Sequence, residues 1–451
     1  MKKILSLAAP LIISQLISMA LVLTDVWMMA QLSVGDLAGG GLGASVYTFV
    51  FLVAGSTVGC VANLIAIAYG QSVARPEFGQ KQVRLAVKGA VMLSVLLTVL
   101  LTFSFTFAPN LLRLAQQPEA IIDIAMTYLN TLKWAMLPTL LLLILRGLTS
   151  NYGHAKSVMM MSFATVMLNV PFSYWLAFYM GWGIAGLGVG TALAATLVLI
   201  GYGIWVFQRP IYYRFAPWLN LEEYEWRLML PLLSMGIPIA IAGSLEMGLI
   251  YGGTLMSGYI GITALALHQI LLQCLSFTWN INFGFSQAAA ILVGKEFGNN
   301  NLSGVKAVAK RSFTLVTALS AVLAVIFIIW PEAIASIFQL DGEGEHGLSA
   351  MLSSLIWVVA LCFVVDAWQL LAINLLRGMK IVVFPTVMTA IGYWVCGLPA
   401  SWLLMQRYEL AGIWGGILVG LAATGLLLLA QLVVELRQPT LHSANLVNTK
   451  F

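Results

Sequence analysis

Apolar residues in this chain run on for twenty positions at a time, interrupted by short polar breaks. A bilayer core takes roughly 20 mainly apolar residues of helix to cross. Twelve stretches meet that length, centred near residues 18, 55, 97, 137, 168, 195, 244, 277, 319, 364, 393 and 422. Only structures that satisfy their own backbone hydrogen bonds survive in hydrocarbon, and runs of this length do so as helices. The expected fold class is an all-α integral membrane protein with twelve transmembrane helices.

Composition agrees. The chain is 61% hydrophobic and 9% charged, with a mean hydropathy of +0.95, where soluble domains carry roughly 25% charged residues. The net charge of +5 has an ordered distribution. With the N-terminus inside, 19 of the 22 Lys and Arg fall on the inner side, and only Arg113, Lys133 and Arg407 fall outward. Twelve spans with both termini cytoplasmic satisfy the positive-inside rule. The charge is therefore a topology signal and not a nucleic-acid surface. A cell inner membrane location is expected, with membrane lipids as surroundings and a single copy as the working unit.

The opening MKKILSLAAPLIISQLISMALVL has the charged-then-apolar form of a signal peptide. Cleavage would delete Pro10 and the first span, which an internal repeat requires. The four cysteines, Cys60, Cys274, Cys362 and Cys396, lie in predicted spans without paired ligand spacing and read as packing residues.

The repeat has a near-constant offset. Pro10 and Pro238 stand 228 apart, Arg146-Gly147 and Arg377-Gly378 stand 231 apart, and the glycine-rich run at 183–190 returns at 410–416, 226 residues on. Six spans per half is an even number, so the halves share one orientation and relate by a pseudo-two-fold along the membrane normal. The expected division is a six-helix bundle at 1–207, a cytoplasmic linker at 208–227, a second six-helix bundle at 228–437 and a cytoplasmic tail at 438–451. The acidic segment from Asp341 to His346 is expected to be a solvated outer turn.

Three carboxylates stand inside apolar runs: Asp25 in LVLTDVWMM, Glu246 in GSLEMGLIY and Asp366 in CFVVDAWQL. A charge at the centre of a span costs roughly 2.5–3.5 kcal/mol on insertion scales. Hydrogen bonds between helices return only about 0.6 kcal/mol on average, so a purely structural role offsets little of that cost. Glu246 follows Pro238 by eight residues, about 12 Å along a helix, and Asp366 reaches a similar depth from the other side. His268, Gln269 and Gln369 are polar groups able to join them. Asp25 lies nearer the outer end of its span. Asn169, in LNVP, adds an amide beside a proline that can free carbonyl oxygens. Buried carboxylates facing a cavity can hold a proton, a metal cation or a cationic solute, which points to ion-coupled transport. Aromatic faces and pliable Met side chains suit bulky cations.

These residues resemble the multidrug and toxic compound extrusion (MATE) transporters, in their NorM-like branch, over essentially the whole chain. The run VLTDVWMMAQLSVGDLA resembles the family's first-span pattern and carries its aspartate onto Asp25. Pro238 to Glu246 is similar to a seventh-span P-x7-E element, and Ala266-Leu-His268-Gln269 to an A-x-H-Q element. Asp366-Ala-Trp-Gln369 with Leu376-Arg-Gly378 resembles D-x-x-Q and L-R-G, and Asn169-Val-Pro171 resembles N-x-P. Ser173, Cys362 and Gln31 depart from the pattern, where Asp or Asn, Tyr and Gly are usual. The resemblance implies a secondary-active exporter of cationic or amphipathic drugs, working by alternating access. Asp25, Glu246, Asp366, Asn169, His268, Gln269 and Gln369 would bind the coupling ion or substrate, and Glu246 and Asp366 would hold Na⁺ where that is the ion. No cofactor is expected beyond a coupling Na⁺ or H⁺, and no enzymatic activity.

Three rivals remain on the residues alone. A flippase of lipid-linked sugars, from the same broad superfamily, would want Arg and Lys in its spans for an anionic cargo, and apart from Lys133 near a boundary the spans hold none. An intramembrane aspartyl protease would need two aspartates at one depth, and there is no GxGD. A rigid channel would pass ion current without counter-substrate, and fits a duplicated bundle less well. Nor is there a GxxxxGK[ST] loop to draw on ATP.

Overall fold

In the computed structural model the described residues are 1–337 and 346–437, and they are helical throughout, with no strand among them. The expected turn at Asp341–His346 and the tail from 438 fall wholly or largely outside them. Eleven helices are long and apolar enough to cross a membrane. They are α1 (Lys2–Leu32), α2 (Val34–Ala74), α3 (Pro76–Leu114), α4 (Glu119–Asn151), α5 (Ala155–Tyr179), α6 (Gly183–Phe207), α7 (Trp226–Ile260), α8 (Ile262–Gly298), α9 (Leu302–Ile329), α10 (Ser349–Gly378) and a 55-residue stretch, Val383–Arg437. That last stretch turns at Glu409, whose backbone is non-helical at φ 50° and ψ −126°. It is two spans, α11 (383–408) and α12 (410–437), which brings the count to the twelve expected.

The duplication is visible in how the sixth span of each half packs on the fifth. A Cβ on Gly190 of α6 would stand 2.6 Å from the Ser173 Cα of α5. On α12, a Cβ on Gly416 would collide with the Ser401 backbone of α11. Small residues let backbones approach this closely, which is how helices associate where no hydrophobic effect separates lipid from protein. Proline sits at the same place in both partners, Pro171 and Pro399, and each lies close to a wider π-helical turn, Trp175–Tyr179 and Ile391–Gly397. A proline removes one donor from the ladder; the carbonyl that Pro399 frees, on Val395, falls inside its π-helical turn, whereas the turn near Pro171 begins four residues beyond the proline.

The chain forms two compact units. One is Ile13–Ala240; the other is Met1–Ile12 with the described residues from Ile241 onward. The breaks therefore fall inside α1 and α7, two residues after Pro10 and Pro238, and not at the expected linker. Packing explains both. Gly284 of α8 lies against the start of α1, where a Cβ would stand 2.8 Å from the Ile12 Cα. Gly236 of α7 lies equally hard against Thr57 of α2. The linker itself is fixed to the first unit. Arg84 of α3 donates to both oxygens of Glu223, at 2.9 Å from Nε and 2.6 Å from Nη2. The fully buried Lys88 donates to Glu223 Oε2 at 2.8 Å and to the Asn220 carbonyl at 2.7 Å.

These bonds, Arg84 foremost and Lys88 after it, hold the Glu223 carboxyl down at about 2, below its ordinary 4.5. Its folded value is depressed, so its contribution is complete above about pH 4.5 and is lost as pH falls through about 2. Glu223→Gln leaves Lys88 buried without its carboxylate, which costs about 3 kcal/mol for a pair that loses one partner. The variant should melt at lower temperature at neutral pH in detergent. Its midpoint should also lack part of the acid dependence that the wild type shows between pH 4.5 and 2. Superimposable melting curves across that range would refute the clamp.

Candidate functional site

The second unit gathers its polar groups from four helices. On α10, Asp366 and Gln369 lie one turn apart and are both almost fully buried. The Gln369 amide donates from Nε2 to Asp366 Oδ1 at 3.2 Å, and its Oε1 accepts from the Tyr393 hydroxyl of α11 at 2.8 Å. The amide is held at both ends, so its orientation is fixed. Asp366 Oδ2 is buried without a hydrogen-bond partner. On α7, Glu246 is half-buried and accepts from the Trp279 indole of α8 at 3.1 Å. Beside it the Trp394 indole donates to the Leu245 carbonyl at 3.2 Å, tying α11 to α7. Glu246 and Asp366 lie close enough for the charge of one to act on the other, and Tyr393 feels both. The Arg377 guanidinium, three turns along α10, acts on Glu246.

Two carboxylates in a low-dielectric pocket cannot both stay charged without positive partners. A proton, a metal cation or Arg377 can serve. Buried polar groups are nearly always satisfied, and an exception in a native structure calls for an explanation such as an ion or water. Asp366 Oδ2 is such an exception. No group of three His, Cys, Asp or Glu side chains comes together among the described residues. A cation here would be met by the two carboxylates with amide and hydroxyl oxygens, a hard-oxygen set suited to Na⁺ and not to a soft transition metal.

The other expected residues lie apart from this cluster. His268 is fully buried, with Nε2 3.2 Å from Thr254 Oγ1, Nδ1 without a partner and its ring 5.5 Å from that of Trp414. It forms a separate layer of α7, α8 and α12, with no hydrogen bond to Asp366 or Gln369. Gln269 is exposed; its neighbour faces inward, and adjacent helical positions point about 100° apart.

In the first unit, Asp25 Oδ1 is buried without a partner, and its charge acts on Tyr128 of α4, as does Tyr47 of α2. Asn169 is not joined to it. Its Nδ2 donates to Thr191 Oγ1 at 2.9 Å, and its Oδ1 accepts from Ser173 at 3.3 Å, which fastens α5 to α6. The helix also continues through Pro171 to Tyr174 before it widens, so the expected break beside the amide comes a turn later.

Sequence reasoning missed Tyr393, Trp279 and Trp394. A Tyr-Trp pair in IGYWVCG was the available signal: two polar-tipped aromatics inside a span, next to glycines. Tyr393 also brings a hydroxyl to Gln369 where Cys362 replaces the tyrosine expected on α10 itself.

A twelve-span duplicated bundle with an acidic pair inside one half defines a class of membrane transporter. The MatE family model matches twice, over residues 10–175 and 238–403, an offset of 228 between the copies. A protein of Pseudomonas aeruginosa described as probable multidrug resistance protein NorM is 31% identical over 94% of this chain and 88% of its own length. One of Pseudomonas putida with the same description is 30% identical over 95% and 93%. The crystal structure of the eukaryotic MATE transporter AtDTX14 superposes with a TM-score of 0.87 at 18% identity, covering 100% of this chain and 98% of that one. The chain belongs to the MatE family, in its NorM-like branch, and is a multi-pass membrane protein.

Tyr393→Phe leaves the buried Gln369 Oε1 without its donor, a loss of about 1–3 kcal/mol. Where the cluster holds a cation, the variant should bind it about 5- to 160-fold more weakly, read from the Na⁺ concentration giving half-maximal protection against heat. Tyr174→Phe, at an exposed hydroxyl in the other unit, should leave that midpoint unchanged. Equal shifts in both variants would detach Tyr393 from the site.

Proposed function

We propose that this protein is a secondary-active multidrug exporter that exchanges cationic or amphipathic drugs for Na⁺ or H⁺ by alternating access. The observation that carries the reading is the buried, unpartnered Asp366 Oδ2 in one cluster with Glu246. An oxygen of that kind has every reason to take a cation and little reason to stay empty. Coupling ion and organic cation compete for the same negative charge. Binding of one favours release of the other, and alternating exposure turns the competition into exchange. The description of its relatives as probable multidrug resistance proteins supports the drug side. The distribution of Lys and Arg supports the inner membrane, with both termini in the cytoplasm. The protein works as a single copy and catalyses no bond chemistry. A lipid-linked sugar flippase is disfavoured, because its pyrophosphate would meet two carboxylates at the cluster.

The test is efflux of a fluorescent organic cation from proteoliposomes under a Na⁺ gradient at fixed pH, then under a pH gradient without Na⁺. One gradient should drive efflux and identify the ion. Asp366→Asn should abolish driven efflux, and Asp25→Asn should impair it less. Wild-type efflux by both variants would sink the carboxylate mechanism. No efflux under either gradient, from protein that still melts cooperatively, would sink the exporter reading.

A further inference from the structure

The first unit carries an apolar groove of about 490 Å³ that the transport reading does not use. Its walls are α3 at Val87 and Val91, α4 at Leu141 and Leu145, and α6 from Leu199 to Phe207. Its floor is the linker, at Pro217 and Trp218. These positions lie in the half of each span nearest the linker, so the groove sits at the depth of one leaflet. On the orientation proposed above, that is the inner leaflet. Gly203 widens the groove: a Cβ there would meet only Leu145 Cδ1, at 3.9 Å. The half-exposed Trp218 marks the interface end, where indoles sit at headgroup level.

One turn below Val87 on the same face of α3 is Arg84, beside Lys88 and Glu223. Two cations and one carboxylate leave this cluster, one turn from the wall at Val87, with one net positive charge. The Arg84 Nε and Nη2 hold Glu223, and Nη1 makes no hydrogen bond among the described residues. An apolar slot with a guanidinium one turn beyond its wall fits a chain with an anionic head, and repels the organic cations that the proposed cargo consists of. Arg is the side chain best matched to phosphate, and clusters of basic residues at the cytoplasmic surface attract anionic lipid.

We propose that this groove binds one acyl chain of an anionic phospholipid, with the lipid phosphate at Arg84. The site is separate from the carboxylate cluster and is tested without transport. The full chain is reconstituted in vesicles containing phosphatidylglycerol with a photoreactive diazirine at the end of one acyl chain. After illumination, labelled residues are mapped by mass spectrometry. Label should concentrate on 87–91 and 199–207, and unlabelled phosphatidylglycerol should compete at least fivefold better than phosphatidylcholine. Gly203→Leu, which fills the groove and removes a helix-weakening glycine, should cut that label at least fivefold without altering label elsewhere. Arg84→Gln, which leaves Lys88 to hold Glu223, should keep the chain label but lose the headgroup preference. Label spread evenly around the bundle, equal competition by the two lipids, or unchanged label in Gly203→Leu overturns the proposal. Displacement by tetraphenylphosphonium but not by phosphatidylglycerol overturns it as well, by giving the groove to cargo.

Discussion

Hydrocarbon supplies no hydrogen bonds, so every backbone group in this protein must find its partner within the protein, and every charge must have a reason to be there. At Pro399 the carbonyl that the proline frees, on Val395, lies within the π-helical turn Ile391–Gly397, which takes up the disturbed ladder. Serines and threonines in the spans bond back to carbonyls one turn earlier, as Thr98 does to Ser94 and Thr254 to Ile250. The same constraint leaves packing, not hydrophobicity, to hold helix to helix, which is why glycines face backbone at Ser173 and Ser401. Of the buried side-chain atoms left without a hydrogen bond among the described residues, only Asp25 Oδ1 and Asp366 Oδ2 belong to carboxylates, the groups for which a missing partner costs most.

Frame and chemistry have parted company within the duplication. At the offset of 228, Gly253 occupies the place of Asp25, and Ser18 the place of Glu246. The two halves keep the same helix order, the same proline positions and the same glycine contacts, yet their acidic groups sit on different rungs. The second unit concentrates an acid pair with an oriented amide. The first keeps a single carboxylate among tyrosines and spends its asparagine on fastening two helices. Twin sites of equal strength would be expected of an unmodified duplication, so on the proposed function the asymmetry gives the larger share of ion chemistry to the second half.

The spans and their number were legible because hydropathy is a property of the chain in one dimension. The carboxylates were legible for the same reason, since Asp366 is costly wherever α10 goes. What a line of sequence could not convey is azimuth. His268 and Gln269 are adjacent in the chain, and one is buried while the other is exposed. Tyr393 and Trp279 look like any aromatic in a lipid-facing run until a third helix brings an amide or a carboxylate to their polar tips. Asn169 read as a candidate ligand because Thr191, which satisfies it, lies 22 residues away on the next helix. The unit boundaries inside α1 and α7 left no trace in composition, because a helix that passes from one unit to another stays apolar throughout.

The geometry around Gln369 bears on what the cluster can hold. Its Oε1 is committed to Tyr393 and its Nε2 to Asp366, so the amide acts as a spacer that keeps Oδ1 occupied and turns Oδ2 free. A proton needs one such oxygen. A metal cation needs several oxygens converging, and Glu246 and the Tyr393 hydroxyl are the further oxygen-bearing groups of the same cluster. On the proposed function, the ion in either case enters at the same atom, and an organic cation attracted to the same pair waits for it to leave. Competition at one oxygen is enough to couple two fluxes, with no need for a signal to pass between separate sites.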